Sequence, residues 1–120
     1  MSSINEVLAQ LISDVDGAMV ALLGDSDSGM LLASAGTGLD VEIAAAGTTE
    51  TMRAKLNTMR ALKLDAELED ILVTLSTQYH IIRPLTANNS VFIYLAVDRA
   101  KSNLAMARLA VKSAEGKISL

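Results

Sequence analysis

Apolar residues recur at Ile4, Val7, Leu8, Leu11, Ile12 and Val15, spacings that gather them on one face of a helix. Ser3 and Glu6 form a capping box at its start, and Gly17 stands where the helix can end. The period then changes. Two continuous apolar runs, Ala18–Leu23 and Met30–Ala35, flank the corner Gly24-Asp25-Ser26-Asp27-Ser28-Gly29, which predicts a β-hairpin with a tight turn and strands at about 18–24 and 29–35. Because the runs are continuous rather than alternating, both strands are expected to be covered on both faces, as central strands are.

Gly36-Thr37-Gly38 breaks the chain, and Asp40 is placed to cap a second helix reaching about Leu64. Ala45, Met52, Leu56 and Met59 share one face of it, and Arg53, Asn57 and Arg60 another. The small residues from Ala44 to Gly47 would let another backbone approach closely. The Met and Ala stripe reads either as core or as a contact with the same helix of a second subunit. Leu68–Ser76, Gln78–Leu85 and Val91–Val97 read as three further strands, with Pro84 ending the middle one and Thr86–Ser90 forming a turn. Asp98 is placed to cap a last helix, Arg99 to about Ser113, ended by Gly116. Ala100, Leu104, Ala107 and Val111 lie on one side of that helix, with Lys101, Arg108, Lys112 and Glu115 opposite. The order αββαβββα with short hairpin turns predicts an α+β fold: a five-stranded antiparallel sheet with helices on both faces, in a single domain spanning 1–120.

Composition adds two things. The chain is 51% hydrophobic but has only three aromatic residues, Tyr79, Phe92 and Tyr94, so aliphatic side chains must fill the core. So apolar a chain of 120 residues has difficulty hiding its hydrophobic surface alone, which points toward oligomerisation. Charge is uneven within a net −4: residues 1–52 carry eight acids and no Lys or Arg, and all ten basic residues lie in 53–120. Such asymmetry can steer a charged partner. An acidic chain without aromatics set in a basic patch is a poor nucleic-acid binder. With no cysteine there is no disulfide framework or thiolate chemistry. No basic segment precedes an apolar stretch near the start, and no run approaches the ~18 residues of a membrane span. A cytoplasmic location is therefore expected.

No reactive constellation emerges. Gly24 and Gly29 have the spacing of phosphate-loop glycines, but Met30 and Leu31 stand where Lys and Ser/Thr are needed. The same corner fails as a calcium loop, because Met30 replaces its glycine and Gly36 its bidentate Glu. His80 is the only histidine; it shares a strand face with Ile82 and is better read as a structural residue than as a ligand. No serine sits in a nucleophile elbow. Glu67, Glu69 and Asp70 read as a solvated edge, and the sequon Asn88-Asn89-Ser90 means nothing without secretion. Catalytic, cofactor-binding and metal-binding residues are accordingly expected to be none.

Three stretches together resemble the roadblock light-chain family, in its bacterial branch. They are Gly17 to Leu23, Asp25 to Gly29 and Met30 to Ala35 at the hairpin; Asp70 to Thr74 with Gln78 to Leu85; and Val91 to Asp98 followed by Ala100 to Arg108. The likeness extends from Ile4 to about Val111 and implies a roadblock/profilin-like sandwich of strand order 2-1-5-4-3. The first and third helices would cover one face and the second helix the other. It also implies a homodimer in which the third strand and second helix meet their symmetry mates, with Ala45, Met52, Leu56, Met59, Leu68, Ile71, Val73 and Leu75 as contacts. Family members are not enzymes. They scaffold or regulate Ras-like small GTPases, as in gliding-motility polarity systems, or serve as motor light chains. Arg53, Asn57, Arg60 and Lys63 are the candidate GTPase contacts, chosen on exposure at helical spacing. Two other readings compete: a nucleotide-independent adaptor for a sensor kinase or motor complex, and a small-ligand sensor built around polar groups such as His80 and Thr74.

Overall fold

The computed structural model describes residues 3–120. Eight elements follow in order: α1 (Ile4–Asp14), β1 (Ala18–Asp25), β2 (Met30–Gly36), α2 (Val41–Ala61), β3 (Ile71–Thr74), β4 (Gln78–Pro84), β5 (Val91–Asp98) and α3 (Leu104–Glu115). The strands form one sheet of order β2-β1-β5-β4-β3, with every neighbouring pair antiparallel. Element order is that expected from the sequence, and strand order is that implied by the roadblock resemblance.

Each helix begins on a side chain that supplies the acceptor its first turn lacks. Ser3 Oγ accepts from the Glu6 backbone N–H and donates to the Glu6 carboxylate. Asp40 Oδ1 accepts from the N–H groups of Glu42 and Ile43, both at 3.1 Å. Asn103 Oδ1 accepts from Met106 N–H at 3.0 Å.

The sheet separates two cores. On one face, Val7, Leu8 and Leu11 of α1 and Ala107 and Val111 of α3 meet Ala21, Leu23, Ile81, Ile93 and Leu95. On the other, Ala45 and Met52 of α2 meet Val20, Leu22, Ile82, Phe92, Tyr94 and Ala96. Successive residues of β1 and β5 thus enter opposite cores, the period-2 alternation of an extended chain.

Four sequence expectations are corrected. β2 is not covered on both faces: at the edge that the resemblance assigns it, its residues alternate between exposed and half-buried, and Met30 and Leu32 are 64% and 49% exposed. An apolar run does not distinguish a central strand from an edge strand made of small residues. A bulge between Leu23 and Gly24 bends the β1–β2 ladder, and Gly36 closes β2 at φ +86°, with Met19 O 2.1 Å from where a Cβ would stand. α3 starts at Leu104 rather than Arg99, because the Asp98 carboxylate closes a turn onto Ala100 N–H and leaves the capping to Asn103. α2 ends at Ala61, three residues short of Leu64. β3 is only Ile71–Thr74, so Leu68 and Leu75 lie outside it.

Gly24 carries a packing constraint. A Cβ there would stand 2.5 Å from Cζ of the fully buried Phe92, its cross-strand neighbour on β5. Gly24→Ala is expected to destabilise the fold by about 1–3 kcal/mol through overpacking. Urea denaturation reads this directly, and an unchanged midpoint would contradict the packing of Phe92 over Gly24.

Candidate partner-binding surface

α2 spends little of its length on the core. Its buried residues are Ala45, Thr48, Thr49 and Met52, and the Thr49 hydroxyl donates to Ala45 O at 2.9 Å. The opposite face is open and built of small residues: Gly47, Thr51, Ala54 and Thr58 are exposed at successive turns. Nothing lies within 4 Å of a Cβ placed at Gly47. The Thr51 and Thr58 hydroxyls fold back onto Gly47 O and Ala54 O, so the stripe is shallow and its side-chain donors are satisfied. Ile43, at the start of the same face, is 71% exposed.

Beside this stripe the chain leaves α2 through a Schellman turn. Lys63 N–H donates to Arg60 O, Leu64 N–H donates to Met59 O, and Lys63 takes the left-handed φ of 55° that glycine usually supplies. The following segment passes the end of the sheet to reach β3, pinned by a two-pronged ion pair between Asp70 and the Arg108 guanidinium on α3. Clefts open on both sides of it. One, of about 690 Å³, lies between Met52, Leu56 and Met59 of α2 and Ser26, Pro84 and Ser90. The other, of about 570 Å³, lies between Thr51, Ala54 and Thr58 of α2 and Leu68, Asp70 and Ile71. β3 pairs only with β4, so its outer edge is unpaired.

The expected contact residues divide sharply. Ala45 and Met52 are fully buried inside the protomer and offer no surface to a second copy. Leu56 and Met59 are half-buried in the larger cleft wall, while Leu68 borders both clefts. Ile71 and Val73 are half-buried at the fringe of the α2 core, and Leu75 is 40% exposed just beyond β3. Among the four polar residues, the Arg53 guanidinium donates to Asp27 O and ties α2 to the β1–β2 turn. Arg60 donates to Asn57 Oδ1 at 2.9 Å, and both are exposed. Lys63 is exposed in the helix-ending turn. Gly47 belongs to the small-residue stretch expected to let another backbone approach, whereas Thr51, Ala54 and Thr58 are not among the expected contacts, although the spacing of four, three and four residues through all four is a readable helical stripe.

One polar cluster lies on the α2 side of the sheet. His80 Nε2 donates to Gln78 Oε1 at 2.7 Å, and its Nδ1 accepts from the Tyr94 hydroxyl at 3.1 Å. The roles follow from the partners, since a carboxamide oxygen only accepts. Burial pushes His80 below its usual 6.5 and pushes Tyr94 up to about 12, so both groups are held neutral. Among the described residues no cluster of three or more His, Cys, Asp or Glu could hold a metal ion, and no helix is long and apolar enough to cross a membrane.

No protein-family model matches the sequence, and no curated protein does. Solved structures do match. A roadblock/LC7 domain from Streptomyces avermitilis superposes with a TM-score of 0.83 at 14% identity, covering 97% of this chain and 94% of that one. The chain has the roadblock fold. Myxococcus xanthus MglB gives a TM-score of 0.81 at 22% identity over 95% of this chain and 89% of its own. An MglB with a tetrameric arrangement gives 0.80 at 19% over 98% and 88%. Within this roadblock fold, α2 and β3 carry the clefts, the open strand edge and the small-residue stripe on one side of the molecule.

The His80 cluster makes stability depend on pH. Its folded value is depressed, so its contribution is fully present above about pH 6.5 and is lost as pH falls below that toward the folded value. His80→Gln is expected to flatten this part of the profile. Denaturation midpoints collected from about pH 7.5 to about pH 5.5 check this, and parallel slopes for the two proteins would contradict it.

Proposed function

We propose that this roadblock-fold protein is a non-enzymatic homodimeric scaffold that binds a Ras-like small GTPase and biases its nucleotide state or its location. The observation that supports it best is the juxtaposition of two self-matching surfaces, the open edge of β3 and the outward stripe of α2. About a two-fold axis, β3 of one copy meets β3 of its partner antiparallel, giving a ten-stranded sheet. The stripe Gly47, Thr51, Ala54 and Thr58 lets the two α2 backbones approach. Exposed apolar residues on or near these elements, Ile43, Leu64, Leu72 and Leu75, favour the same arrangement. Self-association in a structural neighbour, the tetrameric MglB, agrees with it.

The GTPase reading rests on the likeness to roadblock proteins and on the polar rim of α2. Arg60, Asn57 and Lys63 stand together at its C-terminal end, while Arg53 is partly committed to the β1–β2 turn. A scaffold without catalytic groups acts on a switch protein by binding one of its states more tightly than the other. An adaptor that ignores nucleotide would show no such difference.

Ala54→Arg is expected to keep the fold and shift the protein from dimer to monomer, read by sedimentation velocity beside circular dichroism. A folded variant that remains dimeric places the interface elsewhere. In a pull-down from lysate of the source cell, loaded with non-hydrolysable GTP or with GDP, a small GTPase is expected in one nucleotide state only. Arg60→Glu combined with Lys63→Glu is expected to lower its retention about tenfold without changing the dimer. A partner held equally in both states would favour the adaptor.

A further inference from the structure

α1 and α3 share one layer and one core, yet their outward faces differ. α1 presents Asn5, Glu6, Gln10, Ser13 and Asp14, as a solvated helix does. On α3, Met106 and Leu109 point away from the core, one turn apart and 63% and 61% exposed, with exposed Ala105 beside them. Two large apolar side chains at this spacing form a ridge of the kind an amphipathic helix reads at i and i+3.

Basic groups outnumber acids around the ridge, with Lys101, Arg108, Lys112 and Lys117 against Asp70, Asp98 and Glu115. Lys112 is exposed one turn further on, and Lys101 and Lys117 are exposed at the two ends of the helix. The acid of α3, Glu115, is engaged by Arg83 at 3.4 Å and by the Thr86 hydroxyl at 2.9 Å. Arg83–Glu115 and Arg108–Asp70 are the ion pairs among the described residues. None of Lys101, Lys112 and Lys117 is in an ion pair among the described residues.

We propose that the outward face of α3 docks an acidic amphipathic helix of another protein. Its apolar positions seat on Met106 and Leu109, and its Asp or Glu flanks meet Lys112 and Lys101. Met106 suits such a seat, because an unbranched thioether adapts to different partners. Two other occupants fit less well. A flat anionic membrane touching this layer would also meet Glu6 and Asp14 of α1, where no Lys or Arg stands nearby in sequence. A second copy of this chain could offer α1 as an acidic helix, but the apolar face of α1 is already buried in its own core. The α3 face lies on the opposite side of the sheet from α2.

The test uses the full chain and a fluorescein-labelled peptide of about four helical turns, with Leu at i, i+3, i+4 and i+7 and Glu between them. Fluorescence anisotropy is expected to show saturable binding that weakens as salt is raised. Leu109→Glu and, separately, Lys112→Glu are each expected to weaken it about tenfold, both at exposed positions that leave the fold intact by circular dichroism. The same peptide with Lys in place of Glu is expected not to bind. Absence of saturable binding, or binding indifferent to both substitutions, overturns the proposal. So does co-sedimentation with phosphatidylserine vesicles in place of peptide binding.

Discussion

Seven consecutive residues of β5, Val91 to Val97, are buried, and the rest of the architecture follows from covering them. Val91, Ile93, Leu95 and Val97 face the α1 and α3 core, and Phe92, Tyr94 and Ala96 face the α2 core. A strand apolar on both faces must sit inside the sheet and must be roofed on both sides. β1 and β4 flank it and three helices supply the roofs. The order of elements leaves few other ways to do this with short connections. Even the turn-side end of β1 obeys β5, since Gly24 gives up a side chain to the ring of Phe92.

The two roofs are unequal, and the difference gives the molecule its character. α1 and α3 close their side with a broad aliphatic core that reaches Ile118 in the tail. α2 lies chiefly over β1 and β2, buries four of its residues, and leaves the β3 side of the sheet with half-covered Ile71, Val73 and His80. That half-covered region holds the one cluster in which a histidine, a tyrosine and a carboxamide satisfy each other. Its groups are kept neutral by burial, which suits a structural role and gives little support to a small-ligand sensor.

Much of this was legible in the chain. The stripe of α1, the unbroken apolar runs of β1 and β5 and the turn residues between strands fixed element order, and the family likeness supplied the strand order. What misled was local. Met30 and Leu32 made β2 look buried, because an apolar run records composition and not which neighbours a strand has. Asp98 and Asn103 are both good caps, and the choice between them depends on a turn that the Asp98 side chain makes with Ala100. On α2, Ala45 and Met52 belong to the inner face, and the small residues one face over carry the open surface. Helical period gives the faces, but the sheet beneath decides which one is inward. The bond from Arg53 to Asp27 O joins residues twenty-six apart in sequence and had no local signal.

The two edges of the sheet are not alike. β2 is bent by the bulge near Gly24 and closed at Gly36, whose positive φ turns the chain out of extended geometry. β3 carries no such interruption. A bent, interrupted edge is a poor template for another strand, whereas a plain one recruits it. If two copies join through β3, both receptive edges are consumed and a blunt β2 is left at each extremity. Growth by strand addition then stops at two, so a chain this apolar can pair without seeding fibres.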